Sequence, residues 1–179
     1  MNGPRAADHA KNHALLGAAC VAVATGFYLS YIPVKFFEAV GRPARAPSNW
    51  KGAGFVGTLE GWAALYWLPQ DPRTFTIALV LGILAACWIS GVAEKNLGQK
   101  DDARIVIDEV VGYWVAVAFL PRRLAVLGIG FILFRFFDAV KLAPYRWLER
   151  LPGGYGVVMD DVGAGIVTNV ILRSALAWI

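Results

Sequence analysis

An integral-membrane, all-α bundle of about six helices, some short or re-entrant, is the fold class this 179-residue sequence predicts. Three observations predict it. Hydrophobic residues make up 58% of the chain and charged residues only 17%, whereas a soluble globule carries closer to a quarter charged residues to wet its surface. The apolar residues gather in six runs, roughly 14–32, 55–68, 74–93, 105–120, 124–140 and 157–179, separated by stretches rich in Pro, Gly and basic side chains. Small residues recur one helical turn apart, at Gly57 and Gly61 and at Gly82, Ala86 and Ser90, which lets apolar helices approach closely. The mean hydropathy is +0.53.

The first run follows Arg5 and Lys11 and contains Ala22-Val23-Ala24, which resembles a secretory leader and its cleavage site. The apolar stretch continues through Phe27, Tyr28 and Leu29, so a retained first helix is expected. The longest break, 33–54, excludes a continuous helix, although Phe36, Phe37 and Val40 fit an interfacial amphipathic turn. Run 55–68 is the weakest and is read as re-entrant or dipping. Most runs fall short of the ~20 residues that cross a hydrocarbon core perpendicularly. No repeat appears, and the length suits a single domain over residues 1–179.

If all six runs cross, the breaks beginning at 33, 94 and 141 share one side, with ten Lys or Arg against five on the other. The basic side is then cytoplasmic and both termini lie opposite. The net charge of +4 suits anionic lipid but is too small and scattered for nucleic acid. Cys20 and Cys87 lack metal-ligand spacing and read as core residues, and His9 and His13 have no partner in sequence.

Carboxylates interrupt the apolar runs. At a helix centre each costs roughly 2.5–3.5 kcal/mol on insertion scales. Run 105–120 contains nine Ile, Val, Leu or Phe residues, each returning roughly 0.3–0.6 kcal/mol, so Asp108 and Glu109 cancel about all of that gain. Such groups must sit near the interface, face a polar cavity or bind a cation. The same tension recurs at Arg135, Asp138 and Lys141, spaced three apart, and at Asp160 and Asp161 behind the glycines 153, 154 and 156.

The assumed topology puts all of these at the basic side, joined by Thr58, Glu60 and Glu94. Five crowded carboxylates, 108, 109, 138, 160 and 161, suit a hard cation such as Mg²⁺ or Mn²⁺. Arg135, Lys141 and Arg146 suit an anion. Together these are the components of phosphoryl chemistry. A structural Arg135–Asp138 pair, interfacial snorkelling and a plain glycine turn explain each feature singly, but less readily all three on one side.

The segments "DDARIVIDEVVGYW", "FILFRFFDAVKLAPYRWLER" and "GGYGVVMDDVGAGI" resemble the signature blocks of the phosphatidylglycerophosphatase A family across residues 100–172. The resemblance implies a compact six-helix membrane domain and a Mg²⁺-dependent phosphatase, with Mn²⁺ as a possible substitute. The implied reaction converts phosphatidylglycerophosphate to phosphatidylglycerol at the inner face of the bacterial cytoplasmic membrane. It carries metal-binding or catalytic roles to Asp108, Glu109, Asp138, Asp160 and Asp161, and substrate contacts to Arg135 and Lys141. Arg146 and Thr58 are added as substrate contacts from their placement. The stretch "AGFVGTL", 53–59, keeps Gly54, Gly57 and Thr58 of the family's loop but has Ala53 and Phe55 where it has Pro and Thr. After the fifth run, Lys141-Leu142-Ala143-Pro144 keeps only the second of two family prolines.

The expected activity is therefore metal-dependent hydrolysis of a lipid phosphate, with either water or a carboxylate as nucleophile. Other readings are a phosphatase of a different lipid phosphate, a cation transporter or a non-catalytic scaffold. Arg135 and Lys141 argue against a cation path. No D-x-x-D-G-x-x-A-R array is present for a CDP-alcohol phosphotransferase.

Overall fold

A computed structural model describes residues 4–39, 52–100, 102–140 and 147–178. Among these residues the chain forms seven α-helices and no strand. They are α1 (Pro4–Ala24), α2 (Tyr31–Ala39), α3 (Ala53–Ala64), α4 (Pro72–Leu97), α5 (Ile107–Ala116), α6 (Leu124–Val140) and α7 (Gly154–Leu176), with a 3-10 turn at Trp147–Arg150.

Helices α4 and α7 are long and apolar enough to cross a membrane. By contrast α5, with 10 residues, rises only about 15 Å. The apolar core is accompanied by an exposed apolar face and by buried carboxylates. On α4 the side chains of Ile77, Val80, Leu81, Leu84 and Trp88 are each at least 50% exposed, while Asp108, Asp138, Asp160 and Asp161 are buried. A continuous exposed apolar face marks contact with lipid or another apolar partner.

Close backbone approach holds the bundle together. Gly165 of α7 lies against the Gly112 carbonyl of α5, and a Cβ there would come within 2.4 Å of that oxygen. Gly61 of α3 lies on the Val110 backbone, and the Trp114 indole donates to the Gly61 carbonyl at 2.9 Å. These contacts make α3, α5 and α7 run in the same direction, with α4 and α6 returning between them. At the far end Phe119 adopts φ 59 in the turn that follows α5. The carbonyls left over there are satisfied by α7: Asn169 donates to Ala116 and Ala118, both at 3.0 Å, and Arg173 donates to Ala118.

The first run departs from expectation. Gly17 of α1 lies against Asn96, near the end of α4, whereas Val23 and Gly26 share a groove with Gly82 and Ala85 in the middle of α4. Helix α1 therefore descends beside α4 and stops halfway. Gly26, Phe27 and Tyr28, at φ 57, 51 and 68, reverse the chain. Val106 N donates to the Ala24 carbonyl at 2.8 Å, and Ser30 Oγ to the Arg104 carbonyl at 2.7 Å.

Helix α2 then climbs back, and Tyr31 and Lys35 line a cavity with Gln99 and Arg104 beyond the end of α4. Run 14–32 is thus a hairpin that reverses at Gly26–Tyr28 and not one continuous helix. The start of α1 lies at the end of the bundle where α5 begins, opposite the end of α7. Hydropathy could not show this, because the reversal uses two left-handed aromatic residues inside an apolar run. The amphipathic turn expected in break 33–54 becomes α2, which exposes Ile32 and Phe36 and buries Val34 with Ala53 and Val106. Val40 lies outside the described residues.

Helix α4 starts at Asp71, whose carboxylate accepts from Thr74 N at 3.0 Å and from Thr74 Oγ1 at 3.1 Å. The Thr74 amide, then its hydroxyl, holds the Asp71 carboxyl below the usual carboxylate range. A depressed folded pKa contributes stability that is present above the unfolded pKa and lost as pH falls through the folded one. Asp71→Ala should therefore lower Tm at neutral pH, with the difference from wild type closing below the carboxylate range. A pH-independent deficit in thermal unfolding would contradict this.

Candidate functional site

The first turn of α5 carries Asp108 and Glu109. Close packing against α7 through Gly112, where a Cβ would meet Phe134 at 2.8 Å and Asp161 Cβ at 3.0 Å, brings Asp161 beside them. One carboxylate oxygen from each of Asp108, Glu109 and Asp161 lies within 4.8 Å of the other two. Helix α6 contributes Arg135, whose Nη1 donates to Asp138 Oδ2 at 2.6 Å and lies 3.8 Å from Glu109 Oε1. The field at Arg135 comes first from Asp138, then from Glu109, Asp161 and Asp108. Among the described residues it is the one cation ion-paired to this group.

Helix α3 closes the site with backbone. A Cβ on Gly54 would come within 2.7 Å of the Arg135 guanidinium and would strike Glu109 Oε1, so any larger residue there would displace both side chains from their present positions. The sequence noted Gly54 as part of a motif without giving it a role. Its signal was the spacing to Gly57, where an added Cβ would meet the Val106 carbonyl at 2.7 Å and Glu109 Cβ at 3.2 Å.

Other candidates are placed differently. Asp160 is buried, but its side chain lines an adjoining cavity of about 280 Å³ with Lys100 and Glu149, because neighbouring helical residues point about 100° apart. Thr58 is fully buried, and its hydroxyl donates to the Gly54 carbonyl at 2.8 Å. Glu60 faces away from the three carboxylates, against Gly26 of the re-entrant turn. Glu94 is buried on α4 and is not one of the three clustered carboxylates. Lys141 and Arg146 lie outside the described residues.

The donor set fits a hard divalent cation. Glu109 Oε2 and Asp161 Oδ2 are buried and accept no hydrogen bond within the described structure, a costly state for a carboxylate unless something charged meets it. Oxygens on opposite sides of Mg²⁺ are about 4.2 Å apart at ordinary metal–oxygen distances, so the observed group needs only a small side-chain adjustment.

Comparison with known proteins identifies the family. The family model for phosphatidylglycerophosphatase A matches residues 22–176. The Escherichia coli phosphatidylglycerophosphatase A is 31% identical over 121 residues, covering 66% of this chain and 69% of that protein. The Haemophilus influenzae protein of the same name is 32% identical over 135 residues, covering 74% and 80%. A Bacteroides thetaiotaomicron protein provisionally named as a phosphatidylinositol-3-phosphatase is 37% identical over 124 residues, covering 66% and 77%. No solved structure matches. With its α5, α6 and α7 signature segments folded around one acidic centre, and a match running from the end of α1 to the end of α7, the chain belongs to the phosphatidylglycerophosphatase A family.

Proposed function

We propose that this protein is a Mg²⁺-dependent lipid phosphatase that hydrolyses phosphatidylglycerophosphate to phosphatidylglycerol and phosphate in glycerophospholipid synthesis. The observation carrying this reading is the group Asp108, Glu109 and Asp161, with two buried oxygens lacking partners, beside Arg135. In the proposal these three carboxylates hold the cation, with Mn²⁺ as a substitute. When bound, the cation neutralises phosphate charge as a Lewis acid.

Arg135 binds a phosphate oxygen and is kept in position by Asp138. Lys141 and Arg146 are kept as substrate contacts on the sequence reading alone. Asp160 retains its assignment only through the resemblance, since its side chain lines the adjoining cavity. The nucleophile is water or a carboxylate, and trapping a labelled phospho-enzyme would select the latter.

The proposed setting is the bacterial cytoplasmic membrane, crossed several times, with the acidic centre facing the cytoplasm. The re-entrant hairpin supports that orientation. It carries Arg5 and Lys11 to the basic end and leaves Arg73, Arg122, Arg123 and Arg173 opposite.

The test is phosphate release by purified protein from phosphatidylglycerophosphate, with Mg²⁺ and with chelator. Metal-dependent release is expected. No release from any lipid phosphate with metal present would end the reading. The Bacteroides relative favours a second reading, a different lipid phosphate, so phosphatidylinositol 3-phosphate and phosphatidate belong in the same assay. A preference for either by kcat/KM would select it.

A further inference from the structure

Below the acidic centre, the re-entrant turn, α3, α4 and α5 enclose a groove of about 440 Å³. Val23, Phe27, Ala63, Val110 and Trp114 form its walls, and among the described residues Glu60 is its one ionisable side chain. Three features indicate what fits. The groove shares α5 with the reacting centre, since its lining residues Ile107 and Val110 bracket Asp108 and Glu109 in sequence. It also lies deeper than that centre. On α3, Gly54 and Gly57 touch Glu109, and Glu60 follows three residues later, about 4.5 Å further along the axis, with Ala63 and Ala64 beyond it. Finally, Glu60 Oε1 is buried without a hydrogen-bond partner in the described structure.

We infer that this groove holds an acyl chain of the lipid substrate, and that Glu60 is a positioning residue that donates to an ester carbonyl at the head of that chain. The inference rests on the lipid-phosphatase reading above. Phosphate first and hydrocarbon deeper is the order a glycerophospholipid imposes. Against hydrocarbon the neutral carboxyl is the cheaper form, and a neutral carboxyl needs an acceptor. Among the parts of a diacyl lipid at that depth, the ester carbonyl is the acceptor and the methylenes are not.

The test uses the full chain in phosphatidylcholine vesicles containing diacyl phosphatidylglycerol with a diazirine on one acyl chain. Photolabelling mapped to peptides containing Ala63–Trp67 and Val110–Trp114 is expected. Labelling confined to the outer face of α4, or crosslinks between two copies through the groove, would overturn the inference. In assays, Ala63→Trp should lower the ratio of kcat/KM for dioleoyl over dihexanoyl substrate at least tenfold. Glu60→Leu should raise KM several-fold for the diester lipid and less than twofold for its diether analogue, while Glu60→Gln restores the diester value. An unchanged chain-length ratio, or equal losses on ester and ether lipids, would overturn it. Absence of wild-type turnover on every lipid phosphate would strike the phosphatase reading, while photolabelling would still report on the groove.

Discussion

Asp161→Asn should reduce kcat for phosphate release by about 10²–10³-fold, the usual loss when a preorganised charged group at a reacting centre is removed. The same substitution should not lower Tm. Asp161 is 4% exposed, its Oδ2 accepts no hydrogen bond within the described structure, and it lies beside Asp108 and Glu109. Removing one like charge relieves repulsion in the metal-free protein. A residue kept for stability would behave the other way, since breaking its interactions would lower Tm. Thermal unfolding in detergent and Mn²⁺ binding followed by electron paramagnetic resonance separate the cases. Weakened Mn²⁺ binding with Tm equal or raised is expected. A folded Asp161→Asn protein with wild-type turnover would remove Asp161 from the site.

Gly165→Ala should destabilise the protein by about 1–3 kcal/mol, the ordinary range for overpacking. Two effects oppose each other here. Alanine favours a helix interior over glycine by about 1 kcal/mol. The new carbon would stand 2.4 Å from the Gly112 carbonyl oxygen and 3.0 Å from Val115 Cβ, and a backbone carbonyl in a helix cannot swing aside. Helices α5 and α7 must separate, so packing wins over propensity.

Asp161 lies one turn earlier on α7, and the separation should pull it from Asp108 and Glu109. A displacement near 1 Å can cost about 10²-fold in rate, so activity should fall further than stability suggests. Gly128→Ala is the control. Its added carbon would be 3.8 Å from Trp62, an ordinary contact, and it should stabilise by up to about 1 kcal/mol. Both variants behaving alike in denaturant unfolding and turnover would disprove the close-approach argument.

Much of the site was legible because carboxylates in apolar helices carry a large energetic signal. Asp108, Glu109, Arg135, Asp138 and Asp161 stood out on cost and spacing before any geometry was known, and their convergence followed from alternating helix direction. Depth and rotation were not legible. Asp160 and Asp161 are indistinguishable in sequence, yet the 100° between them sends one to the acidic centre and the other to the cavity with Lys100. Thr58 looked available, but a hydroxyl on a buried helix face donates to its own backbone at Gly54.

Sequence by itself determined the class, a bundle of short apolar helices with charge concentrated at one end, because hydropathy and charge are local properties of each residue. It also determined which close contacts were affordable, through the glycines at 57 and 61. Only the tertiary structure decided that the first run turns back halfway, that Glu60 leaves the acidic group for an apolar groove, and that Gly54 admits α3 to the site. Those outcomes depend on left-handed backbone at Phe27 and Tyr28 and on contacts as distant in the chain as Gly54 with Glu109 and Arg135. Neither is encoded in the periodicity of a single segment.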